Sequence, residues 1–347
     1  MTTANLKYRA VMTFYLPDAA VDEKAYESLG IGLVQHMCKT EDEIIAVGGD
    51  ADFLLPIGRQ PITRRVIENL TRCRLIDVMG IGYDGVDVDV ATERGICVVN
   101  NPYASVDEVS DHAMALALAC SRRLFPLIDL VRRKEWTATA TREMRKVWLS
   151  TLRLRGQTLG LVGFGNVPQA LVPKAKGFGL RVLTYDPYVD SDVSRRLGVE
   201  QVDLQTLLAQ SDFVSLHAKL TSQNRGMMGS EQFNQMKPTA FIINTARGGL
   251  IDEAALVAAL DFGHIAGAAL DVTDPEPPAT DNPLIGRENV LITPHSAHAS
   301  QETWHQQWNA PANEIARLLA GEWPQGLVNY QVKEIYSAKW GFEATHP

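Results

Sequence analysis

Short runs of aliphatic and β-branched residues alternate with helix-forming stretches in two separate series along this chain. Residues 8–14, 31–34, 52–55, 74–79 and 96–99 read as strands, with helices over 22–29 and 63–70 between them. A second series begins near Gln157. Its strands fall at 158–162, 181–185, 212–216, 240–244 and 266–270, with 290–293 as a sixth. Helices over 168–178, 230–236 and 252–260 fill the gaps. Alternation of this kind predicts βαβ units and mostly parallel sheets. Six strands in βα alternation suit a doubly wound dinucleotide-binding domain.

Between the two series lies an Ala- and Leu-rich segment, residues 106–124, with the turn signal Asn100-Asn101-Pro102 before it. The stretch that follows, to about Arg155, is basic and carries Trp136 and Trp148, as a packing helix or an arm would. Residues 300–319 return to helix, with an interruption expected at Pro311. At 347 residues the chain should hold about two domains of ~150. With 46% hydrophobic residues it can bury a sizeable core, which excludes disorder as its main state and excludes a small disulfide scaffold. A formal charge of −8 argues against nucleic acid as a partner, and no run of ~18 apolar residues predicts a membrane span. Four scattered cysteines with no CxxC pair read as buried thiols, and no cluster suggests a metal site. The N-terminus lacks the apolar core of a secretory signal. These features together predict a cytoplasmic protein.

The second series opens on TLGLVGFGNVPQ, residues 158–169, which places Gly163-x-Gly165 between a strand and a helix. The first glycine permits a tight turn, and the second lets the backbone approach a pyrophosphate at the helix N-terminus. Pro168 stands where a third glycine is usual, and proline is tolerated in a first helical turn. Asp186 ends the next strand, at the distance expected of an acid that accepts from both ribose hydroxyls. A carboxylate there repels a 2′-phosphate, so NAD is expected over NADP.

Three polar residues occupy loop positions after strands of this series: Arg247 in NTARGGLID, Glu276 in LDVTDPEPP and His295 in ITPHSAH. Each alone has an ordinary surface or structural explanation. Together with Gly80-Ile81-Gly82-Tyr83-Asp84-Gly85-Val86-Asp87, Ala91-Thr92-Glu93-Arg94-Gly95-Ile96, Leu216-His217-Ala218 and the ending Gly321-Glu322-Trp323-Pro324, they form an ordered set. From about Leu54 to Asn329 the chain resembles the D-isomer-specific 2-hydroxyacid dehydrogenases. The wording at Tyr185-Asp186-Pro187-Tyr188 and Ala104-Ser105-Val106-Asp107-Glu108 is most similar to the branch containing the C-terminal-binding-protein corepressors.

The resemblance implies an α/β architecture in which a Rossmann-type NAD domain, residues 104–298, is inserted into a flavodoxin-like substrate-binding domain, residues 1–103 and 299–347. It implies a homodimer built on the helix from Val106 and the basic arm after it. It implies an NAD-dependent enzyme acting on a small 2-keto or 2-hydroxy acid. His295 would give the proton to the carbonyl oxygen, Glu276 would pair with His295 and favour its charged form, and Arg247 would hold the carboxylate. The substrate would also meet Gly80 and Ile81. Cofactor contacts would come from Val109, Gly163, Gly165, Asn166, Val167, Asp186, His217, Thr245 and Asp271. Leu55, Pro56, Met79, His298 and Trp304 are expected near the pocket mouth, a mostly apolar set. The second functional reading is an NAD(H)-sensing, corepressor-like binding protein with a vestigial site. Against family habit, Asn166 replaces a common arginine and Lys219 a common proline.

Overall fold

Strands that are buried on both faces and joined by helices pair in parallel, and every strand pair among the described residues does so. The computed structural model describes residues 6–15, 21–137, 139 and 141–345. Residues 1–5, on which the reading of the N-terminus partly rests, lie outside the described residues. The chain divides into two compact units, Met1–Ser105 with Ala299–Pro347, and Val106–His298.

Unit 1 contains strands β1 (Tyr8–Met12), β2 (Ile31–Gln35), β3 (Phe53–Leu55), β4 (Leu75–Val78) and β5 (Cys97–Asn100), in the order β2-β1-β3-β4-β5. That is the flavodoxin-like order. Side chains alternate across the sheet. Met12, Phe53, Leu55, Leu75 and Val99 pack under the helix Gln301–Leu319 and the helix Val332–Trp340. Val11, Leu54, Ile76, Val78 and Val98 pack on the opposite face. The C-terminal segment completes this sheet's edge. Val328 N–H donates to Val98 at 2.8 Å, and the buried Asn329 side chain accepts from Val98 N–H at 2.8 Å and donates to Ile96 at 3.0 Å.

The helix Gln301–Leu319 runs unbroken through Pro311, against the expected interruption. Proline's fixed φ is compatible with helix, and the missing N–H costs one bond. Buried Trp308, Ala312, Ile315 and Leu318 fix the helix on the core and offset that loss.

Unit 2 contains β6 (Thr158–Val162), β7 (Arg181–Tyr185), β8 (Glu200–Gln201), β9 (Phe213–Leu216), β10 (Phe241–Asn244), β11 (Gly267–Leu270) and β12 (Val290–Ile292). Their order is β12-β11-β10-β9-β6-β7-β8. The chain reverses direction of winding between β6 and β9, the crevice at which doubly wound sheets bind ligands. The edge strand β8 was not expected from the sequence: it is two exposed residues long and carries no apolar pattern. The Ala-rich helix spans Val106–Ser121, and the basic stretch after it forms two helices, Leu124–Arg132 and Arg142–Leu149. No helix among the described residues is long and apolar enough to cross a membrane. All four cysteines are buried and unbridged.

Candidate active site

The glycine loop follows β6. Gly163 has φ +93°, and a Cβ there would lie 2.8 Å from the Ala218 nitrogen and 2.9 Å from the His217 carbonyl carbon. Glycine is thus required twice, for conformation and for the approach of the loop after β9. A Cβ on Gly165 would meet nothing within 4 Å. Gly165 caps the helix Asn166–Gly177, whose first positions Asn166 and Val167 present backbone N–H groups. Pro168 falls in that first turn, buried, where an N–H is not needed by the helix.

Asp186, just past β7, bends back to this loop. Its Oδ2 accepts from Phe164 N–H at 2.8 Å and its Oδ1 from Tyr188 N–H at 2.9 Å. A carboxylate has about four acceptor positions, so each oxygen retains one for a hydroxyl. Thr245 carries a buried Oγ1 with no hydrogen-bond partner in the structure. His217 Nε2 lies 2.9 Å from Ser215 Oγ, and burial pushes its pKa down to about 4, so the ring is neutral at neutral pH. Val109 sits part-buried on the helix Val106–Ser121. An open glycine cradle at a helix N-terminus, an acid at the end of β7 and an orphaned buried hydroxyl fit a dinucleotide.

Arg247, Glu276 and His295 follow β10, β11 and β12, three adjacent strands, so all three stand at one end of the sheet. Asn244 builds the Arg247 turn: its amide accepts from Ala246 N–H at 3.0 Å and donates to the Arg247 carbonyl at 2.9 Å. Arg247 Nη1 donates to the Ala246 carbonyl at 2.7 Å. The Glu276 loop is held from outside. Glu253, in the first turn of the helix Glu253–Asp261, accepts from Asp274 N–H and from Asn282, each at 3.0 Å. Arg225 pairs with the Asp274 carboxylate. His295 Nδ1 and Glu276 Oε1 are 2.6 Å apart, with about a quarter of each side chain exposed. His295 itself has φ +51°, a left-handed backbone uncommon outside glycine. The chemistry of this set is acid–base: an imidazole whose Nδ1 is held by a carboxylate presents Nε2 for proton transfer.

The model for the D-isomer specific 2-hydroxyacid dehydrogenase NAD binding domain matches residues 114–297. The chain belongs to that family. A glyoxylate reductase of Korarchaeum cryptofilum is 40% identical over 286 residues, 82% of this chain and 85% of that protein. A D-3-phosphoglycerate dehydrogenase of Methanocaldococcus jannaschii is 40% identical over 84% of this chain but only 54% of its own length. The solved structure of a glyoxylate reductase from Paecilomyes thermophila aligns with TM-score 0.82 and 27% identity, over 93% of this chain and 99% of that one. As a 2-hydroxyacid dehydrogenase the chain is an NAD-dependent oxidoreductase of 2-keto and 2-hydroxy acids.

Gly80, φ +148°, donates its N–H to the Val78 carbonyl at 2.8 Å. Leu55, Pro56 and Met79 are buried in unit 1. Other supporting residues escaped the sequence reading. Asn244, Glu253 and Arg225 position loops, and Gly248 permits a backbone contact taken up below. The one available signal was an asparagine ending a strand directly before the arginine loop.

Proposed function

We propose that the chain reduces a small 2-keto acid to its D-2-hydroxy acid, with His295 as the proton donor. The hydrogen bond between His295 Nδ1 and Glu276 Oε1 at 2.6 Å carries this reading. The carboxylate fixes which nitrogen faces away from it, leaving Nε2 to protonate the carbonyl oxygen. Arg247, always cationic and fork-shaped, holds the substrate carboxylate. Bound NADH supplies the hydride. Gly163, Gly165, Asn166 and Val167 would seat its pyrophosphate and Asp186 its adenosine ribose, with Val109, His217, Thr245 and Asp271 around the remainder. In unit 1 Gly80 and Ile81 would meet the substrate, the Gly80 N–H being the one that also donates to Val78. Unit 2 is then the NAD-binding domain, residues 104–298, and unit 1, residues 1–103 and 299–347, the substrate-binding domain.

Glyoxylate reductases among the similar proteins support glyoxylate or a keto acid of like size. The intact histidine–glutamate pair favours this over a non-catalytic NAD(H) sensor. A second copy of the chain is the proposed partner. Phe125, Ile128, Val131, Trp148 and Leu149, on the two helices after residue 123, are exposed apolar groups more than a monomer surface needs. The four buried free thiols support a reducing, cytoplasmic setting. The test is NADH oxidation against glyoxylate, hydroxypyruvate, pyruvate and phenylpyruvate. Reduction of at least one, abolished in His295→Ala, is expected. No turnover of any of them, with NADH binding intact, would favour the sensor.

A further inference from the structure

The loop that carries His295 is tied to the helix Val106–Ser121 by side chains that the proposed chemistry does not use. His112 Nε2 lies 3.0 Å from Thr293 Oγ1, and Thr293 Oγ1 donates to Asp271 Oδ1 at 2.6 Å. A hydroxyl has a single proton to give. Thr293 gives it to the carboxylate and must therefore accept from His112, which places a proton on His112 Nε2. The donations run one way, from His112 to Thr293 to Asp271.

Asp271 is the anchor of the whole turn. Its Oδ1 also accepts from Ser296 N–H at 2.9 Å, and its Oδ2 from Ala297 N–H at 2.9 Å. Its backbone carbonyl accepts from His295 N–H at 2.8 Å. Burying a carboxylate that is only 2% exposed is costly without such donors. The left-handed backbone at His295 costs about 1 kcal/mol or more and persists only where neighbours over-determine it. Asp271 gathers the residues on both sides of His295, and His112 links that anchor to a regular helix.

We propose that His112 is a positioning residue for His295: through Thr293 and Asp271 it holds the turn that aims the catalytic ring. This rests on His295 being the proton donor. Loss of the His112 donor leaves the Thr293 hydroxyl held by Asp271 alone, and the turn loses its tie to the helix. Displacement of an acid–base group lowers turnover more than it lowers cofactor affinity.

The test compares His112→Ala, His112→Gln and Thr293→Val in the full chain, with the keto acid reduced fastest by the wild type. A kcat loss of about 10- to 100-fold is expected for His112→Ala and Thr293→Val, with NADH affinity and keto-acid KM changed little. His112→Gln, whose amide can donate to Thr293 Oγ1, should recover to within a few-fold of wild type. If His112→Ala fails to fold, the Gln and Val variants read the same bond. Added to His295→Ala, His112→Ala should cost nothing further, since both act through one group. An additive loss in that background, equal kcat in the Ala and Gln variants, or an unchanged kcat in Thr293→Val overturns the positioning role. Wild-type activity in His295→Ala alone overturns the acid assignment instead, so the two failures are told apart.

Discussion

Gly248 lies against Thr273 so closely that a Cβ on it would stand 2.1 Å from the Thr273 carbonyl carbon and oxygen. The Arg247 turn and the Glu276 loop therefore touch through backbone, and no side-chain rotation can relieve a clash there. Gly248→Ala should destabilise unit 2 by about 1–3 kcal/mol and lower kcat/KM by moving both loops. Thermal unfolding and steady-state kinetics check this. A variant with wild-type melting temperature and kinetics would mean the two loops are not in backbone contact.

Glu276→Gln removes the negative charge beside His295 and keeps the shape. The ring loses the carboxylate that fixes Nδ1, so kcat for keto-acid reduction should fall about 10- to 100-fold while NADH affinity changes little. The measurement is steady-state kinetics beside a fluorescence titration of NADH. Wild-type kcat would remove Glu276 from the acid–base pair.

Asp186 should make NADH the better cofactor by at least tenfold, a difference of ~1.4 kcal/mol. With NADPH its carboxylate faces a phosphate dianion. Of the two nearby cations that could answer it, Arg195 and Arg196, Arg195 is paired with Asp192 at 2.6 Å. Asp186→Ala should weaken NADH binding and narrow the gap without reversing it. It also deprives Phe164 N–H of its acceptor, so some loss of glycine-loop order accompanies the change. Equal use of both cofactors by the wild type would sink the assignment.

His217 gives the chain an acid sensitivity with a defined sign. Burial holds its folded pKa at about 4, below the ordinary 6.5. Between those values the unfolded chain binds a proton that the folded one does not, so stability is full above pH ~6.5 and falls as pH drops toward 4. The contribution has an upper bound of about 3 kcal/mol. Part of the residue's surface remains exposed, so solvent screening reduces it. Denaturant unfolding at pH 7 and pH 5 should show a smaller difference for His217→Asn than for the wild type. Equal differences would show that the ring is not shielded.

Most strands could be read because buried parallel strands are continuous apolar runs, as at Phe241–Asn244 and Leu75–Val78. Strand β8 could not, since an exposed Glu-Gln pair joins the sheet through its backbone alone. Pro311 misled because the packing that carries the helix through it comes from strands some 200 or more residues earlier. Within the candidate site, Arg247, Glu276 and His295 stand in ordered motifs of the sequence, and the structure sets them after three adjacent strands. The link from His112 to Thr293 spans 181 positions and has no local pattern. The engagement of Gly80 N–H by Val78 is equally invisible, because it depends on one dihedral angle.

Unit 1 is assembled from two stretches of chain separated by the whole of Val106–His298. During synthesis its first five strands leave the ribosome long before the helix Gln301–Leu319 and the Val328–Asn329 segment that complete them. At about 5–20 residues per second the delay is on the order of ten seconds or more. Through that interval the apolar face around Met12, Phe53 and Val99 lacks the helix Gln301–Leu319 and the helix Val332–Trp340 that pack on it. The nascent chain is therefore most exposed to aggregation at the sheet of unit 1, whose cover is made only after unit 2.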